Sequence, residues 1–237
     1  MTLEEFVMKM RVADYITSAI YDAGGEKVFL ITGGMIMHLT DALYQHKKQK
    51  FVCCHHEQAA AMAAEAYGRF TNKLGAVYVT AGPGALNAIT GIVGAYVDSS
   101  PCIIVAGQSK VSQAIVKGPR QFALQGFDNL KLFKQITKYA VMLDDISKVK
   151  YEVEKALYIA KSGRVGPVYV ECPIDIQGAC FDPDDYAGFV PDSIITEKSQ
   201  NHYLESQIDR VVQLIQNSSR PLIIAGAGII TSIPLSC

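Results

Sequence analysis

The sequence lacks an excess of charge of either sign. Its 237 residues include 22 Lys and Arg against 23 Asp and Glu, which gives a formal net charge of -1. Without a basic excess, the chain has no strong electrostatic attraction to nucleic acid or to an anionic membrane. Because 49% of the residues are hydrophobic and 19% are charged, we expect a packed globular protein that acts on small molecules.

Long apolar runs are also missing. No segment approaches the roughly 18 to 20 uninterrupted apolar residues that a membrane-spanning helix needs. The first residues, MTLEEFVMKMRVADY, are acidic and amphipathic rather than similar to a signal peptide. We therefore expect a cytoplasmic protein with no membrane partner.

The six cysteines form neither a C-x-x-C pair nor a disulfide framework. Cys53 and Cys54 are adjacent on a predicted strand, so their side chains point to opposite faces and cannot jointly hold one metal ion. We predict that the chain itself supplies no metal site.

Helical and strand patterns alternate along most of the chain. Short apolar runs rich in β-branched residues, such as KVFLIT, GAVYVT, PCIIVAG and GPVYVECP, indicate buried strands between amphipathic segments. This alternation predicts an α/β fold with a doubly wound, mainly parallel sheet and helices on both faces. The segment from Val111 to Asn129 has no clear period, and we expect a long loop of the kind that often carries function.

A change of composition predicts the domain organisation. We expect a first domain at 1–178, a linker rich in Asp, Pro, Gly and Ser at 179–202, and the start of a second α/β domain at 203–237. The second part contains an amphipathic helix and then the apparent strand RPLIIAGAGII. Because a lone strand cannot satisfy its backbone groups, we expect this second domain to be incomplete or completed by another chain.

Three loops each close a predicted strand and open a helix: TGGM at 32–35, HHEQ at 55–58 and TAGPGALN at 80–87. In open α/β sheets, ligands bind at this carboxyl edge. Pro83 removes a backbone donor and no G-K-[ST] follows, so the third loop is no nucleotide P-loop. Considered alone, Glu57 in the first turn of an alanine-rich helix is best explained as a helix-stabilising acid.

Five motifs in order carry a resemblance to a known family: TGGMIMHLTDAL, HHEQAAAMAAEAYGR, TAGPGALNAITGIVGAYVDSSP, ITK and GRVGPVYVECPID. Their order and spacing resemble the pyrimidine-binding domain of thiamine-diphosphate enzymes, and most of all its acetolactate synthase-like members. The resemblance covers roughly Val12 to Asp175, and the later segment resembles the start of the family's central domain.

The resemblance implies a role for Glu57. In this family the matching glutamate contacts N1′ of the cofactor's aminopyrimidine and favours its 4′-imino tautomer, which generates the C2 ylide that attacks 2-keto acids such as pyruvate. The other implied cofactor-binding residues are Gly33, Gly34, Met35, Pro83, Asn87 and Gln125. Acetolactate synthases carry Phe-Gln-Glu around this glutamine, whereas here Leu124 and Gly126 flank Gln125. This difference means that the resemblance extends also to acetolactate synthase-like relatives in sugar or polysaccharide pathways. The sequence therefore does not identify the acceptor substrate.

The family binds the diphosphate and Mg²⁺ through a G-D-G motif in a separate C-terminal domain, and this chain contains no G-D-G. The resemblance thus implies thiamine diphosphate as cofactor, with Mg²⁺ held outside this chain, and leaves FAD open. It implies a homodimer, a homotetramer or a separate diphosphate-binding chain as partner, and no activity without that domain. The alternatives are a non-catalytic binding or assembly module, or the pyrimidine-domain subunit of a split enzyme.

Overall fold

The computed structural model describes residues 9–114, 120–121, 123–191, 201–224, 226 and 228–229. These residues belong to two compact units, Met1–Phe189 and Val190–Cys237, and each is described by itself. Parts of the predicted loop at 111–129, the predicted linker and the predicted second-domain start lie outside the described residues.

The first unit alternates strands and helices along the chain, as the sequence pattern predicts. Its strands are β1 Met10–Arg11, β2 Lys27–Leu30, β3 Lys50–Cys53, β4 Gly75–Val79, β5 Cys102–Gln108, β6 Tyr139–Met142, β7 Pro167–Pro173 and β8 Cys180–Phe181. Its helices are α1 Val12–Asp22, α2 Met37–Gln45, α3 Glu57–Thr71, α4 Pro83–Asn87, α5 Ile89–Val97, α6 Val111–Ala114, α7 Asn129–Ile136, α8 Val149–Lys161 and α9 Ile174–Gly178.

Six strands form one sheet in the order β3-β2-β4-β5-β7-β6, and every neighbouring pair is parallel. β1 and β8 make a separate antiparallel pair. The chain runs outward from β2 in both directions, because β3 lies on one side of β2 and β4 on the other. The predicted doubly wound α/β fold is therefore confirmed.

Helices cover both faces of the sheet. Ala76 and Tyr78 of β4 pack into a core with α1, α2, α8 and α9, whereas Val77 and Val79 pack into a second core with α3, α4, α5 and α7. Successive strand residues point to opposite faces, so a strand buried on both sides must be apolar throughout. This explains why GAVYV and CIIVA are unbroken apolar runs rather than alternating ones.

The structure corrects several element boundaries. The segment after β4 forms two helices rather than one continuous helix, with Ala88 between them. Val111–Ala114 is a short helix where a loop was expected. β6 is the far edge strand of the sheet and its side chains are only half-buried. Half-burial at an edge gives a weaker apolar pattern than the fully buried runs of β4 and β5.

Lys138 explains the ITK motif in structural terms. Its ammonium group donates to the carbonyl oxygens of Ile159 and Ser162, the latter at 2.7 Å, at the carboxyl end of α8. Those carbonyls have no partner within the helix, and a cation also interacts favourably with the helix dipole there. Burial lowers the pKa of Lys138. We assign this lysine to the packing of α8 rather than to the candidate site.

The segment after α9 packs on the first unit as far as Phe189. β8 pairs with β1. The ring of Phe189 packs against the rings of Tyr151 and Tyr158, with centroid separations of 5.6 and 5.4 Å. The domain boundaries at 178 and 202 stay predictions. In the described part of the chain, no helix is both long enough and apolar enough to span a membrane.

The second unit contains helix α10, Asn201–Gln216. The expected strand after it is not formed at 221–224, where the side chains of Leu222, Ile223 and Ile224 are exposed. No other strand is described in this unit. A strand needs a neighbour to pair its backbone groups, and the described residues of this unit provide none.

Candidate functional site

The candidate site lies at the carboxyl edge of the sheet, where β2 and β4 end side by side. The chain leaves β2 for β3 on one side and leaves β4 for β5 on the other. The two connections diverge at this point, and such a switch point is where open α/β sheets leave a crevice for ligands. We call this region the rim; it comprises residues 32–35, 55–58 and 80–87.

Two loops of the rim approach closely at Gly33 and Thr80. A Cβ atom at Gly33 would lie 2.6 Å from Thr80 Cβ and 2.7 Å from its hydroxyl oxygen. The backbone of Gly33 is extended, with φ -169°, so the glycine is needed for this approach and not for its conformation. Gly34 differs, because a Cβ there would meet nothing within 4 Å.

Glu57 is the first residue of α3 and is 9% exposed. The helix begins there because His56 Nδ1 accepts a hydrogen bond from the backbone amide of Gln58, which caps the first turn. A carboxylate in a first turn is also stabilised by the helix dipole. The structure thus buries an acid, nearly completely, at the point where the rim begins.

Asn87 fixes the orientation of that acid. Its amide Nδ2 donates to Glu57 Oε2 at 3.0 Å. The other carboxylate oxygen, Oε1, is not used in this bond and lies 3.4 Å from the position that a Cβ at Gly84 would occupy. A Cβ at Gly84 would also lie 2.7 Å from the methyl carbon of Thr80, so the lack of a side chain at Gly84 lets α4 pack closely against Thr80 and Glu57.

Gly82 and Pro83 form the turn that opens α4. Gly82 has φ 56° and ψ -116°, a conformation that residues with a side chain rarely adopt, and Pro83 takes the first helical position. A Cβ at Gly82 would lie 2.1 Å from the carbonyl oxygen of Gln125. Gln125 itself has φ 58°, so its backbone is strained where it meets this turn.

Met35 lies against a different strand end. Its carbonyl oxygen would be 2.0 Å from a Cβ at Gly107 of β5, and it accepts a hydrogen bond from Gln177 Nε2 at 2.7 Å. The same Nε2 also donates to the carbonyl of Cys172 at 2.7 Å. Gln177, which is fully buried, thereby ties the loop after β2 to the end of β7.

The structure brings most of the predicted site residues into one set of contacts. Gly33, Glu57 and Asn87 are joined through Thr80 and Gly84, and Pro83 lies in the same turn. Gln125 approaches through its main chain, whereas Met35 faces Gly107 instead. The sequence analysis did not single out Thr80, although it lies within the TAGPG motif, or Gln177, whose role depends on a contact 142 residues away.

The neighbouring cysteines do not add a metal site. Cys53 is exposed and Cys54 is partly buried, with its pKa raised by burial and then by the nearby Cys53. Among the described residues, no three His, Cys, Asp or Glu side chains are arranged to hold a metal ion. The rim therefore offers one oriented carboxylate, the side-chain amide of Asn87, the imidazoles of His55 and His56, and closely packed backbone.

Comparison with known proteins gives this geometry a context. Residues 10–132 match the family described as thiamine pyrophosphate enzyme, N-terminal TPP binding domain. The acetolactate synthase large subunit of Haemophilus influenzae is 33% identical over 225 residues, which cover 94% of this chain and 38% of that protein. The mitochondrial acetolactate synthase of Schizosaccharomyces pombe is 36% identical over 212 residues, 86% of this chain and 31% of that protein.

A third relative is the acetolactate synthase isozyme 3 large subunit of Escherichia coli, which is 32% identical over 223 residues, 93% of this chain and 37% of that protein. The chain thus spans less than two fifths of the length of these relatives. The match at 10–132 includes every predicted site residue.

Proposed function

The chain belongs to the thiamine pyrophosphate enzymes, whose N-terminal TPP binding domain it contains, and from that premise we propose that its rim binds the aminopyrimidine of thiamine diphosphate. The whole protein would then be a carboligase or decarboxylase of 2-keto acids that resembles acetolactate synthase. The observation that supports this most strongly is Glu57, a nearly buried acid at the start of α3 that Asn87 orients through Oε2, so that Oε1 takes no part in that bond.

The residues present fit the pyrimidine. Gly33, Gly82 and Gly84 allow the backbone to come close, because a Cβ at each of them would lie 2.7 Å or less from an atom of Thr80 or Gln125. Glu57 would hold or release a proton at the ring nitrogen N1′, while Asn87 keeps the carboxyl group in place through Oε2. When bound, thiamine diphosphate supplies the carbon nucleophile that adds to the keto carbon of the substrate.

Burial strengthens the interaction that we propose between the carboxyl group of Glu57 and the ring nitrogen N1′. A hydrogen bond between the acid and a ring nitrogen is stronger where water is excluded, because the local dielectric is low. The cap by His56 and the hydrogen bond from Asn87 hold the acid before any ligand arrives. A preorganised group avoids the entropic cost of ordering a flexible side chain on binding.

The diphosphate and Mg²⁺ would be held by another part of the protein or by a partner chain. Mg²⁺ requires oxygen ligands in near-octahedral geometry together with phosphate oxygens, and the rim offers one acid. We propose pyruvate as the first substrate to test, since acetolactate synthases are the relatives that match. A homodimer or homotetramer would place a diphosphate-binding domain against this rim.

Pyruvate turnover with thiamine diphosphate and Mg²⁺ tests the proposal. We expect no turnover by residues 1–237 alone, and acetolactate or carbon dioxide formation when the carboxyl-terminal part of an acetolactate synthase catalytic subunit is joined to them. Turnover by the 237-residue chain alone would contradict the shared-site proposal. A folded joined protein that binds thiamine diphosphate but turns over no 2-keto acid would favour a non-catalytic binding module.

A further inference from the structure

Glu171 is a buried acid that the proposed function does not use. It lies near the carboxyl end of β7 and is 2% exposed. The hydroxyl of Tyr169 donates to its Oε1 at 2.8 Å, and the Tyr169 ring stacks on Phe133 of α7 with centroids 3.9 Å apart. Its described contacts include no cation. An acid buried without a cation is rarely a packing residue, because its charge is costly away from water.

The groups around Glu171 come from the elements that flank the loop at Ala123–Asp128. Burial raises the pKa of Glu171 to about 7 and Asp128 raises it further, while the hydrogen bond from Tyr169 and the nearby side-chain amides of Gln108 and Asn129 act in the opposite direction. Gln108 lies on the same face of the sheet as Glu171, because Glu171 pairs with Ala106, two residues before Gln108. Among the described residues, the titratable groups coupled to it are Tyr169, Asp128 and the thiol of Cys172, the next residue of β7. Gln108, at the end of β5, and Asn129, at the start of α7, contribute only neutral amides.

Asn129 is able to respond to the charge of Glu171. It is fully buried, and both its Nδ2 and its Oδ1 lack a partner that meets hydrogen-bond geometry. Such an amide can turn to donate to an ionised carboxylate through Nδ2, or to accept from a protonated acid through Oδ1. Because Asn129 is the first residue of α7, either response acts where the preceding loop ends.

Gln108 and Asn129 are each connected to the loop by one hydrogen bond. Gln108 Nε2 donates to the carbonyl of Phe127 at 3.4 Å, and the backbone amide of Asn129 donates to the same carbonyl at 2.9 Å. Gln108 is itself held, because its Oε1 accepts from the amide of Ser109 at 2.8 Å. The carbonyl of Phe127 is therefore the point at which the surroundings of Glu171 meet the loop.

The loop in turn meets the rim. A turn closes it through a hydrogen bond from the amide of Gly126 to the carbonyl of Ala123 at 3.0 Å. Within that turn, the carbonyl of Gln125 packs directly on Gly82. Gln125 is only two residues before Phe127, so a displacement of Phe127 would also move the contact between Gln125 and the turn that opens α4.

We propose that Glu171 is a positioning residue for the rim. Through Gln108 and Asn129 it sets the position of the loop Ala123–Asp128, and thereby holds Gln125 against the turn at Gly82. The inference deepens the proposed function and rests on it in treating that turn as part of the cofactor site. The ionised acid can only accept hydrogen bonds, whereas the protonated acid must also donate one. The seating of the loop therefore changes with pH around neutrality.

Amide signals of the isotope-labelled chain, followed by NMR from acid to alkaline pH without cofactor, test this coupling. We expect Gly82, Gln125 and Gly126 to titrate together with a midpoint near pH 7 and to lose that titration in Glu171→Gln. Glu152→Gln is the matched control, since Glu152 also accepts from a tyrosine hydroxyl, that of Tyr139.

A second variant keeps the test decisive if Glu171→Gln does not fold. Tyr169→Phe removes a hydrogen bond that lowers the pKa of Glu171, so the shared midpoint should move to higher pH. Constant signals at Gly82 and Gln125, a titration that persists in Glu171→Gln, or a midpoint unmoved by Tyr169→Phe would each overturn the proposal. The NMR experiment contains no cofactor, so its failure would not contradict the proposed function. A lack of pyruvate turnover, in turn, would not contradict the coupling between Glu171 and the loop.

Discussion

Replacing Glu57 by Gln is expected to reduce 2-keto acid turnover about 100-fold or more in the enzyme completed with a diphosphate-binding domain, which is the range for losing a general acid or base. Glutamine keeps the size of the side chain and can still accept the hydrogen bond from Asn87 Nδ2. It cannot exchange a proton with a ring nitrogen at neutral pH. The measurement is the rate of pyruvate consumption at saturating thiamine diphosphate.

Glu65→Gln is the matched control for that experiment. Glu65 lies two turns further along the same helix, where it accepts from the hydroxyl of Ser100 at 2.9 Å and pairs with Arg69 at 3.2 Å. Its loss should leave turnover almost unchanged. Equal rates for Glu57→Gln and the unsubstituted enzyme would show that the buried acid takes no part in proton transfer.

Replacing Gly82 by Ala is expected to lower the free energy of unfolding by about 2 to 4 kcal/mol. Gly82 adopts φ 56°, which a side chain disfavours, and the added Cβ would lie 2.1 Å from the carbonyl oxygen of Gln125. Relief requires the loop at Ala123–Asp128 to move away from the rim. Urea unfolding of the 237-residue chain gives the change in stability.

Gly94→Ala is the control for this substitution. Gly94 lies within α5, and a Cβ there would meet nothing within 4 Å. Alanine is the better helix former, so this change should be neutral or slightly stabilising. If both substitutions had the same effect on unfolding, the contact between Gly82 and Gln125 would not be a constraint on the fold.

Much of this site is predictable because it is local in sequence. The position of Glu57 follows from a strand, a polar cap and an alanine-rich helix in succession, all of which lie between Lys50 and Thr71. The pairing of Glu57 with Asn87 is not local, and the approach of Gly33 to Thr80 depends on β2 and β4 being neighbours. Composition and periodicity predict that strands exist, but they do not give their order.

Glu171 shows a different limit of sequence reasoning. The run PVYVECP predicts a buried strand correctly, yet an acid within such a run can point to solvent or into the core. Its burial depends on α7 covering that face of the sheet through Phe133. That contact is not local in sequence, so the polar surroundings of Glu171 could not be anticipated from the strand pattern.

The most direct test of the central claim is an NMR titration of the 237-residue chain with thiamine diphosphate, thiamine and inorganic diphosphate in parallel. Binding of the pyrimidine at the rim predicts that both thiamine compounds shift the amide signals of Gly33, Glu57 and Gly82, and that inorganic diphosphate shifts none of them. The competing location is the cavity of about 460 Å³ lined by Tyr96, Val97, Lys138, Arg164, Val165 and Gly166. Shifts confined to that cavity, or produced equally by inorganic diphosphate, would contradict the assignment of the rim as the pyrimidine site.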